Sequence, residues 1–514
     1  MLTNKLFNNL MVLDLANNHF GDVVHSKKII NSFGNITKKY KMNATIKFQF
    51  RQLPEFIHKD FRESDIKYVR RFLDTKLEDN EFYDIFKHIK KNKMLTSCTP
   101  FDEASVTKIE KFKFDFIKVA SVSALDFNIH ERVVKNNIPK IISTGGIKVE
   151  DIDKIVSFYS GKHQTFALMH CVSIYPSSNE TLNLNFIANL KKRYENVPIG
   201  WSTHEDPKEF LPAALASANG ATIFEKHVGI DSKKYKLNNY SIKPNDFESW
   251  YLNLKKAQLM LGNKNKEKKI FPSEIKTIIS LSRGVYAKNN IKKGEILNDN
   301  NVYFALPFQN GQLSSLDLKI GTKAIKNFKK DGIIQKKAIK YDKEFLIKSQ
   351  KASYLHKLKA ILNYHQIKVG DNFDLELSHH NGVNNFEKVG CYLFNIVNQV
   401  YAKKLLVMLP NQRHPSHFHK KKTETFIISA GSLTLIDNGK KYFLKAGDSI
   451  DLKKSSYHQF KAGKEGCIFE EISTTSYKSD SFYQNKRVKK MPRDKRKTYV
   501  SNWFFEGPKK VKFS

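Results

Sequence analysis

The stretch ATIKFQF at residues 44–50 is a short, mostly apolar segment that ends in polar side chains and precedes a long helical region. The same alternation recurs along the first half of the chain. Its other strand candidates are MVLDLAN (11–17), MLTSC (94–98), DFIKVA (115–120), PKIIST (139–144), TFALMHC (165–171), VPIGWS (197–202) and ATIFEKH (221–227). Eight strands alternating with helices over roughly 250 residues predict a (β/α)8 TIM barrel, an α/β fold, across residues 1–260.

An open, doubly wound sheet is the structural alternative for this region. Such sheets often hold phosphates in a GxGxxG or GxxxxGK[ST] loop, and the sequence contains neither motif. The barrel is therefore the favoured architecture.

The rest of the chain divides into three further regions. Residues 281–345 contain short strands separated by KKG and KDG turns, which predict a small separate domain, and residues 346–370 have a helical pattern. Residues 371–475 are rich in strand patterns with NGK, AGD and AGKEG turns, as in an all-β barrel. Residues 476–514 form a basic tail, NKRVKKMPRDKRK followed by SNWFFEG, which either docks through its aromatic residues or is disordered.

Composition restricts the class of protein. The formal net charge is +37, from 88 Lys and Arg against 51 Asp and Glu, but the lysines are spread along all 514 residues. We attribute this charge to solvated faces rather than to nucleic-acid binding. The four cysteines form no CxxC pair, which argues against disulfides and cysteine zinc sites. No apolar run reaches the ~20 residues of a membrane span. We expect a soluble, cytoplasmic protein.

The chemistry of a barrel lies at the carboxyl ends of its strands. Each predicted strand of this chain ends in or precedes polar side chains there. These are Asp14, Lys47, Gln49, Thr99, Lys118, Ser121, Ser143, Thr144, His170, Ser173, Tyr175, Ser202, His204, Glu225, Lys226 and His227. Two lysines with several hydroxyls suit a phosphate and a carboxylate. Two histidines on adjacent strand ends, His204 and His227, can share one metal with open coordination positions.

The ordered segments DLANNHFGD, IKFQ, TPFD, IKVAS, ISTGG, MHCVSIYP, IGWSTH and FEKH resemble the motifs of the sialic acid synthase family. The stretch GVYAKNNIKKGEIL in residues 281–345 is similar to that family's antifreeze-like (SAF) domain. The resemblance covers roughly residues 10–340. It implies a synthase that condenses phosphoenolpyruvate with an aldehyde sugar, giving a nonulosonic or related ulosonic acid and phosphate.

The resemblance also implies a role for each matching residue. The phosphoenolpyruvate ligands would be Lys47, Thr99, Lys118, Ser121, Ser143, Ser173 and Ser202. Gln49 and Tyr175 would lie beside the sugar. His204 and His227 would hold Mn²⁺ or Mg²⁺, which would polarise the aldehyde for attack by C3 of phosphoenolpyruvate while water captures C2. The family's SAF domain covers the partner's barrel mouth, which implies a homodimer.

Four positions depart from the family pattern. Asp14 replaces the family's catalytic Glu, which keeps the carboxylate but shortens it by one methylene, and Ser173 replaces an Asn on the phosphate side. Leu237 replaces an Asp that touches the sugar, and Leu306, before Pro307, replaces an Arg in the SAF domain. We therefore expect an acceptor other than N-acetylmannosamine, either less polar or differently decorated, or else a weakened enzyme.

The C-terminal region contains a second candidate metal site. His417 and His419 alternate on one strand and therefore share a face, and Glu424 and His458 can complete the set. This spacing resembles the cupin motif, although Lys453 and Ser455 replace the usual Pro and Gly. A divalent Zn, Mn, Fe or Ni ion fits such ligands. The motif does not give the reaction, so the cupin either acts on a sugar of the same pathway or senses one.

The predicted function is a phosphoenolpyruvate-dependent sugar-acid synthase with a metal-binding cupin. One alternative is a synthase whose cupin only regulates it. A second alternative is a non-catalytic, sugar-binding regulator of surface-polysaccharide biosynthesis, against which the intact Lys47, Lys118, His204 and His227 argue.

Overall fold

The computed structural model describes residues 6–262, 268–370, 373–380 and 382–500. The chain forms two compact units, Met1–Lys268 and Lys269–Ser514, which are described separately. Among the described residues, no helix has both the length and the apolar character needed to cross a membrane.

The first unit is a closed parallel barrel, as the alternating pattern predicts. Within residues 6–262, eight strands pair in chain order and the eighth pairs with the first. They are β1 (Leu10–Asp14), β2 (Asn43–Phe50), β3 (Leu95–Pro100), β4 (Phe116–Val119), β5 (Lys140–Ser143), β6 (Phe166–Cys171), β7 (Ile199–Thr203) and β8 (Ile223–His227). Each lies within the stretch predicted for it or within two residues of it, and the predicted fold class is confirmed.

Helices follow the strands on the outside of the barrel. They are α1 (Val23–Lys39), α2 (Leu53–Phe56), α3 (Lys67–Asp74), α4 (Asp79–Lys91), α5 (Glu103–Phe112), α6 (Phe127–Val133), α7 (Val149–Gly161), α8 (Asn185–Arg193), α9 (Leu211–Ala218) and α10 (Pro244–Leu261). Short 3₁₀ turns lie at Lys59–Phe61, Ser121–Ser123 and Asn179–Thr181.

The alternation of side chains along each strand decides which residues reach the inside of the barrel. Met11 and Leu13 belong to the large core between strands and helices, whereas Leu10 and Val12 belong to a smaller apolar cluster with residues of the other strands. Asp14 lies two residues beyond Val12 and so continues the same face. The apolar cluster closes the amino-terminal end of the barrel, and polar residues occupy the other end.

Gly200 in β7 provides a test of this packing. A Cβ at Gly200 would lie 2.2 Å from Met169 Sδ and 2.9 Å from the Ile223 carbonyl oxygen. We expect Gly200→Ala to destabilise the protein by about 1–3 kcal/mol through overpacking. Gly161→Ala at the end of α7, where a Cβ meets no atom within 4 Å, should change stability by less than about 1 kcal/mol. Equal urea midpoints for the two variants would contradict this account.

The second unit begins with α11 (Pro272–Ser280) and a small domain. This domain contains the antiparallel pairs β9 (Gly284–Ala287) with β10 (Val302–Ala305) and β11 (Lys323–Ala324) with β12 (Ile339–Lys340). Val285, Ile291 and Leu313 are part of a core of its own. Its assignment as an SAF domain stays a prediction.

The remainder of this unit is α12 (Lys343–Tyr364), where a helix was expected, and a strand-rich domain. Within the described residues, the domain contains a ten-stranded antiparallel sheet. Its strands are β13 (Leu375–Ser378), β14 (Cys391–Asn398), β15 (Tyr401–Met408), β16 (Arg413–Phe418), β17 (Glu424–Asp437), β18 (Lys440–Lys445), β19 (Ser449–Leu452), β20 (His458–Thr474), β21 (Phe482–Tyr483) and β22 (Lys497–Val500). Two further 3₁₀ turns lie at Lys336–Ala338 and Val383–Asn385.

The sheet continues beyond the boundary expected at residue 475. β21 pairs with β16, and β22 pairs with β13 along its whole length. Two short helices, α13 (Lys486–Lys490) and α14 (Arg493–Arg496), lie between them. The basic segment therefore belongs to the domain up to residue 500, and its last strand, β22, forms one edge of the sheet. The stretch SNWFFEG lies outside the described residues.

Candidate active site in the barrel and a histidine cluster in the C-terminal domain

Strand register brings the first three candidate residues together. Asp14 lies beside Lys47 of β2 on one side and beside His227 of β8 on the other. Asp14 Oδ2 lies 2.9 Å from Lys47 Nζ and 3.5 Å from His227 Nε2. Both Asp14 and Lys47 are buried. The Asp14 carboxylate thus lies between the Lys47 ammonium group and the His227 imidazole.

Glu225 connects the two lysines. Its Oε1 lies 2.6 Å from Lys47 Nζ, and its Oε2 lies 2.9 Å from Lys118 Nζ. The sequence pattern placed Glu225 at the end of β8 but gave it no role. Its alternation with Ile223, which faces the interior, was the signal that could have assigned it to the site.

Burial and pairing act against each other on these charges. Burial alone would raise the pKa of Glu225, but Lys118 and Lys47 hold it below its ordinary value. Burial alone would lower the pKa of Lys47, yet the Asp14 and Glu225 carboxylates raise it overall. Among the described residues, Lys118 forms its one ion pair with Glu225, and burial lowers its pKa. Pairing therefore favours the charged forms of Glu225 and Lys47.

Two of the predicted phosphoenolpyruvate hydroxyls, those of Ser121 and Ser173, approach Gly145 closely. The Gly145 N–H donates to Ser121 Oγ at 3.2 Å. A Cβ at Gly145 would lie 2.5 Å from Ser173 Oγ and 2.7 Å from Ser121 Oγ. These three residues form a cradle whose two hydroxyls can donate hydrogen bonds to an anion's oxygens.

Three further hydroxyls of the predicted set, from Thr99, Ser143 and Ser202, are buried at strand ends. Thr99 lies beside Gln49 in the sheet, and Ser202 lies beside Glu225. Within the described parts of the chain, Thr99 Oγ1 is buried without a hydrogen-bond partner. A ligand oxygen would satisfy this group, which otherwise costs about 1–3 kcal/mol.

The predicted sugar side lies on the other side of Asp14. Gln49 Nε2 donates weakly to Asp14 Oδ2 at 3.4 Å, and the Tyr175 ring lies 4.1 Å from the His204 ring. Arg51 was missed by the sequence analysis. It donates from Nη2 to Gln49 Oε1 at 3.0 Å and lies between the rings of Phe72 and Phe101. The i, i+2, i+4 spacing of Lys47, Gln49 and Arg51 could have identified it.

The histidine pair fits a divalent metal. His204 Nδ1 donates to the Val172 carbonyl at 3.0 Å, which leaves Nε2 available as a ligand. The His204 and His227 ring centres are 5.3 Å apart, and His227 Nδ1 is buried without a partner among the described residues. Burial lowers the pKa of His204 to about 3, so its imidazole is neutral as a metal ligand must be. With Asp14 adjacent, these donors suit a divalent metal ion.

Two polar residues at the strand ends point elsewhere. Lys226 faces away from the barrel interior and forms a buried ion pair with Glu205 at 2.6 Å. His170 Nε2 donates to the Leu182 carbonyl at 2.8 Å. Alternation along β8 explains the first case, since Lys226 lies between the two inward residues Glu225 and His227.

The C-terminal domain brings together the second predicted metal set. A ligand nitrogen from each of His417, His419 and His458 lies within 4.8 Å of the others. Glu424 lies 3.5 Å from both His419 Nε2 and His458 Nε2. Each histidine donates from Nδ1 to a backbone carbonyl, of Pro415, Asp480 and Ser456 respectively. This fixes each Nε2 toward a common point, as in a metal centre.

Lys422 was not predicted at this site. Its Nζ lies 2.5 Å from Glu424 and 2.7 Å from Glu471. Burial alone would lower the pKa of Lys422, but Glu471 and Glu424 raise it above its ordinary value. His417 and His419 line a cavity of about 580 Å³, within the range of small-molecule sites.

The fold and the site define a TIM-barrel enzyme with an acidic and lysine-rich centre at the strand ends, joined to a β-domain that contains a cluster of three histidines. The chain belongs to the NeuB family, whose model matches residues 36–266, and a Cupin domain model matches residues 404–470.

Similar proteins agree with this assignment. An uncharacterized protein of Methanocaldococcus jannaschii is 30% identical over 62% of this chain and 90% of its own. N,N'-diacetyllegionaminic acid synthase of Campylobacter jejuni is 26% identical over 63% of this chain and 98% of its own. The structure of a putative spore coat polysaccharide biosynthesis protein E from Chromobacterium violaceum is 36% identical, with a TM-score of 0.62, and covers 65% of this chain and 99% of that one.

Proposed function

We propose that the barrel condenses phosphoenolpyruvate with an aldehyde sugar, giving an ulosonic acid and phosphate. The observation that carries this proposal is the buried network in which Asp14, Lys47, Glu225 and Lys118 meet beside two histidines. Family membership and relatives named as sugar-acid synthases support it.

The residues at one end of the site would bind phosphoenolpyruvate, and those at the other end would bind the acceptor sugar. Lys47 and Lys118 would bind the anionic groups of phosphoenolpyruvate, with Ser121, Ser173 and Gly145 around one of them. Preorganised cations of this kind lower the cost of charge that develops in the transition state. Asp14, in contact with Lys47 and His227, would accept a proton from the water that adds to C2.

His204 and His227 would hold a divalent metal. When bound, such a metal supplies Lewis-acid polarisation of the acceptor's aldehyde. Gln49, Tyr175 and Arg51 would orient the acceptor on that side.

The acceptor itself is expected to differ from N-acetylmannosamine. Leu237 and Leu306 provide no hydrogen-bonding side chain where the family has an Asp and an Arg, and Leu306 is 56% exposed. We propose a less polar or differently decorated aldehyde sugar. The assignment of residues 281–345 as an SAF domain, and the homodimer that it implies, belong to the same proposal.

The direct test is phosphate release from phosphoenolpyruvate with Mn²⁺ and a panel of aldehyde sugars. The panel contains N-acetylmannosamine, diacetylated trideoxyhexoses and unacylated hexoses. We expect release with one acceptor class and no release with His204→Ala. Absence of release with every acceptor would overturn the synthase proposal and favour a regulatory sugar-binding protein.

The anion cradle gives a more local test. We expect Gly145→Ala to raise KM for phosphoenolpyruvate about tenfold, because its Cβ would displace Ser121 and Ser173 from the anion. KM for the acceptor should change little. An unchanged KM for phosphoenolpyruvate would place the anion elsewhere, and Gly161→Ala serves as the control for a glycine outside the site.

A further inference from the structure

The basic segment that follows residue 475 forms part of the cupin cavity. β22 pairs with β13, and Arg493 and Lys497 line the same cavity as His414, His417 and His419. The sequence alone predicts that this segment either docks through its aromatic residues or is disordered. Its position beside the histidines indicates a role in binding.

The described cavity wall has more positive than negative side chains. Five cationic and three carboxylate side chains line it, and its cations are Lys404, Lys422, Lys478, Arg493 and Lys497. A buried wall with surplus positive charge attracts an anion, and a divalent metal at the histidines adds to this charge.

The surplus arises because cations share carboxylates. Glu471 lies 2.6 Å from Lys404 and 2.7 Å from Lys422, so one carboxylate faces two ammonium groups. Glu376 is likewise shared by Lys497 and Arg493. Lys422 also contacts Glu424, at 2.5 Å, so Lys404 and Lys422 have two carboxylates between them, whereas the described ion pairs of Lys497 and Arg493 involve Glu376 alone.

Arg493 is the cation best placed to take a ligand. Its contact with Glu376 is long, 3.4 Å, and its other partners are neutral, the Lys478 carbonyl at 3.1 Å and the Tyr499 hydroxyl at 3.2 Å. Its side chain is 34% exposed. A guanidinium with such loosely held donors matches the paired oxygens of a carboxylate or phosphate.

We propose that the cupin cavity binds an anionic sugar, with its carboxylate or phosphate at Arg493 and Lys497 and its hydroxyls toward the histidine cluster. The inference rests on the proposed function only in taking the ligand to be a sugar. The cavity of about 580 Å³ also has polar walls, including Ser378 and Asn395, which suit a polyhydroxylated ligand.

The test is calorimetric titration of the full chain, loaded with Mn²⁺, with three probes. These are N-acetylneuraminate with a carboxylate, N-acetylmannosamine 6-phosphate, and neutral N-acetylmannosamine. We expect at least one anionic probe to bind more tightly than the neutral one, and the two anionic probes distinguish a sugar acid from a sugar phosphate. Arg493→Gln should weaken that binding about tenfold or more. Lys489→Gln makes the same charge change at an exposed site of this segment and should leave Kd unchanged.

Two outcomes would overturn the inference. One is equal binding of neutral and anionic probes, or binding that Arg493→Gln does not affect. The other is binding that disappears in His204→Ala, which would place the probe in the barrel. Phosphate release is measured on the parent alone, so a failure of the synthase proposal, seen as no release in the parent, stays separate from this result.

Discussion

Replacing His204 with alanine is expected to lower kcat/KM for phosphate release about a thousandfold. His204 offers Nε2 to the proposed metal, because its Nδ1 is engaged by the Val172 carbonyl. Loss of one of the two imidazole ligands removes most of the polarisation of the aldehyde. This loss raises the activation free energy by several kcal/mol. A manganese titration of the same variant should show one ion fewer per chain than the parent.

The control is His88→Ala on α4, outside the barrel mouth. It should retain full activity and the parent's manganese stoichiometry. If His204→Ala bound as much manganese as the parent and reacted at the parent's rate, the metal assignment at this pair would be wrong. Thermal melting of both variants separates this result from unfolding.

Replacing Glu225 with alanine is expected to destabilise the barrel by about 3–5 kcal/mol. Lys47 and Lys118 would stay buried, and Asp14 would be the one carboxylate left for the two of them. Lys47 would keep Asp14, whereas Lys118 would lose its only carboxylate within the described network. The measurement is the urea midpoint of the barrel transition, followed by the fluorescence of the buried Trp201 and Trp250.

The matched control is Glu131→Ala, which breaks an exposed ion pair with Lys162 at 3.5 Å. Its effect should stay below about 1 kcal/mol, as for surface pairs in general. Similar midpoints for Glu225→Ala and Glu131→Ala would show that the buried network does not hold the barrel together. Glu225→Gln, which keeps the shape, should lie between the two.

The barrel could be predicted because its strands and helices are local patterns. Each strand is short, apolar and bounded by turns, and eight of them in alternation leave few arrangements. The positions of Asp14, Lys47 and His227 followed from the rule that strand ends share one face of a barrel. The sequence therefore predicted that these residues lie close together, but not how their charges pair.

What the sequence left open depends on partners distant in the chain. Glu225 bridges lysines from β2 and β4, and no spacing within β8 shows which side chains it will meet. Lys422 and Glu471 are likewise 49 residues apart. The same limit applies to the tail, since Lys497 lies beside Ser378 only after the sheet has formed.

The pairing of β22 with β13 makes the residues beyond 475 part of the sheet of the C-terminal domain. A chain shortened at residue 475 would keep His417, His419, Glu424 and His458 but lose β21, β22 and the Asp480 carbonyl that orients His419. β13 would then become a bare edge of the sheet, a template for aggregation. Such a deletion would therefore remove Arg493 and Lys497 from the cavity wall and loosen the histidine cluster at the same time.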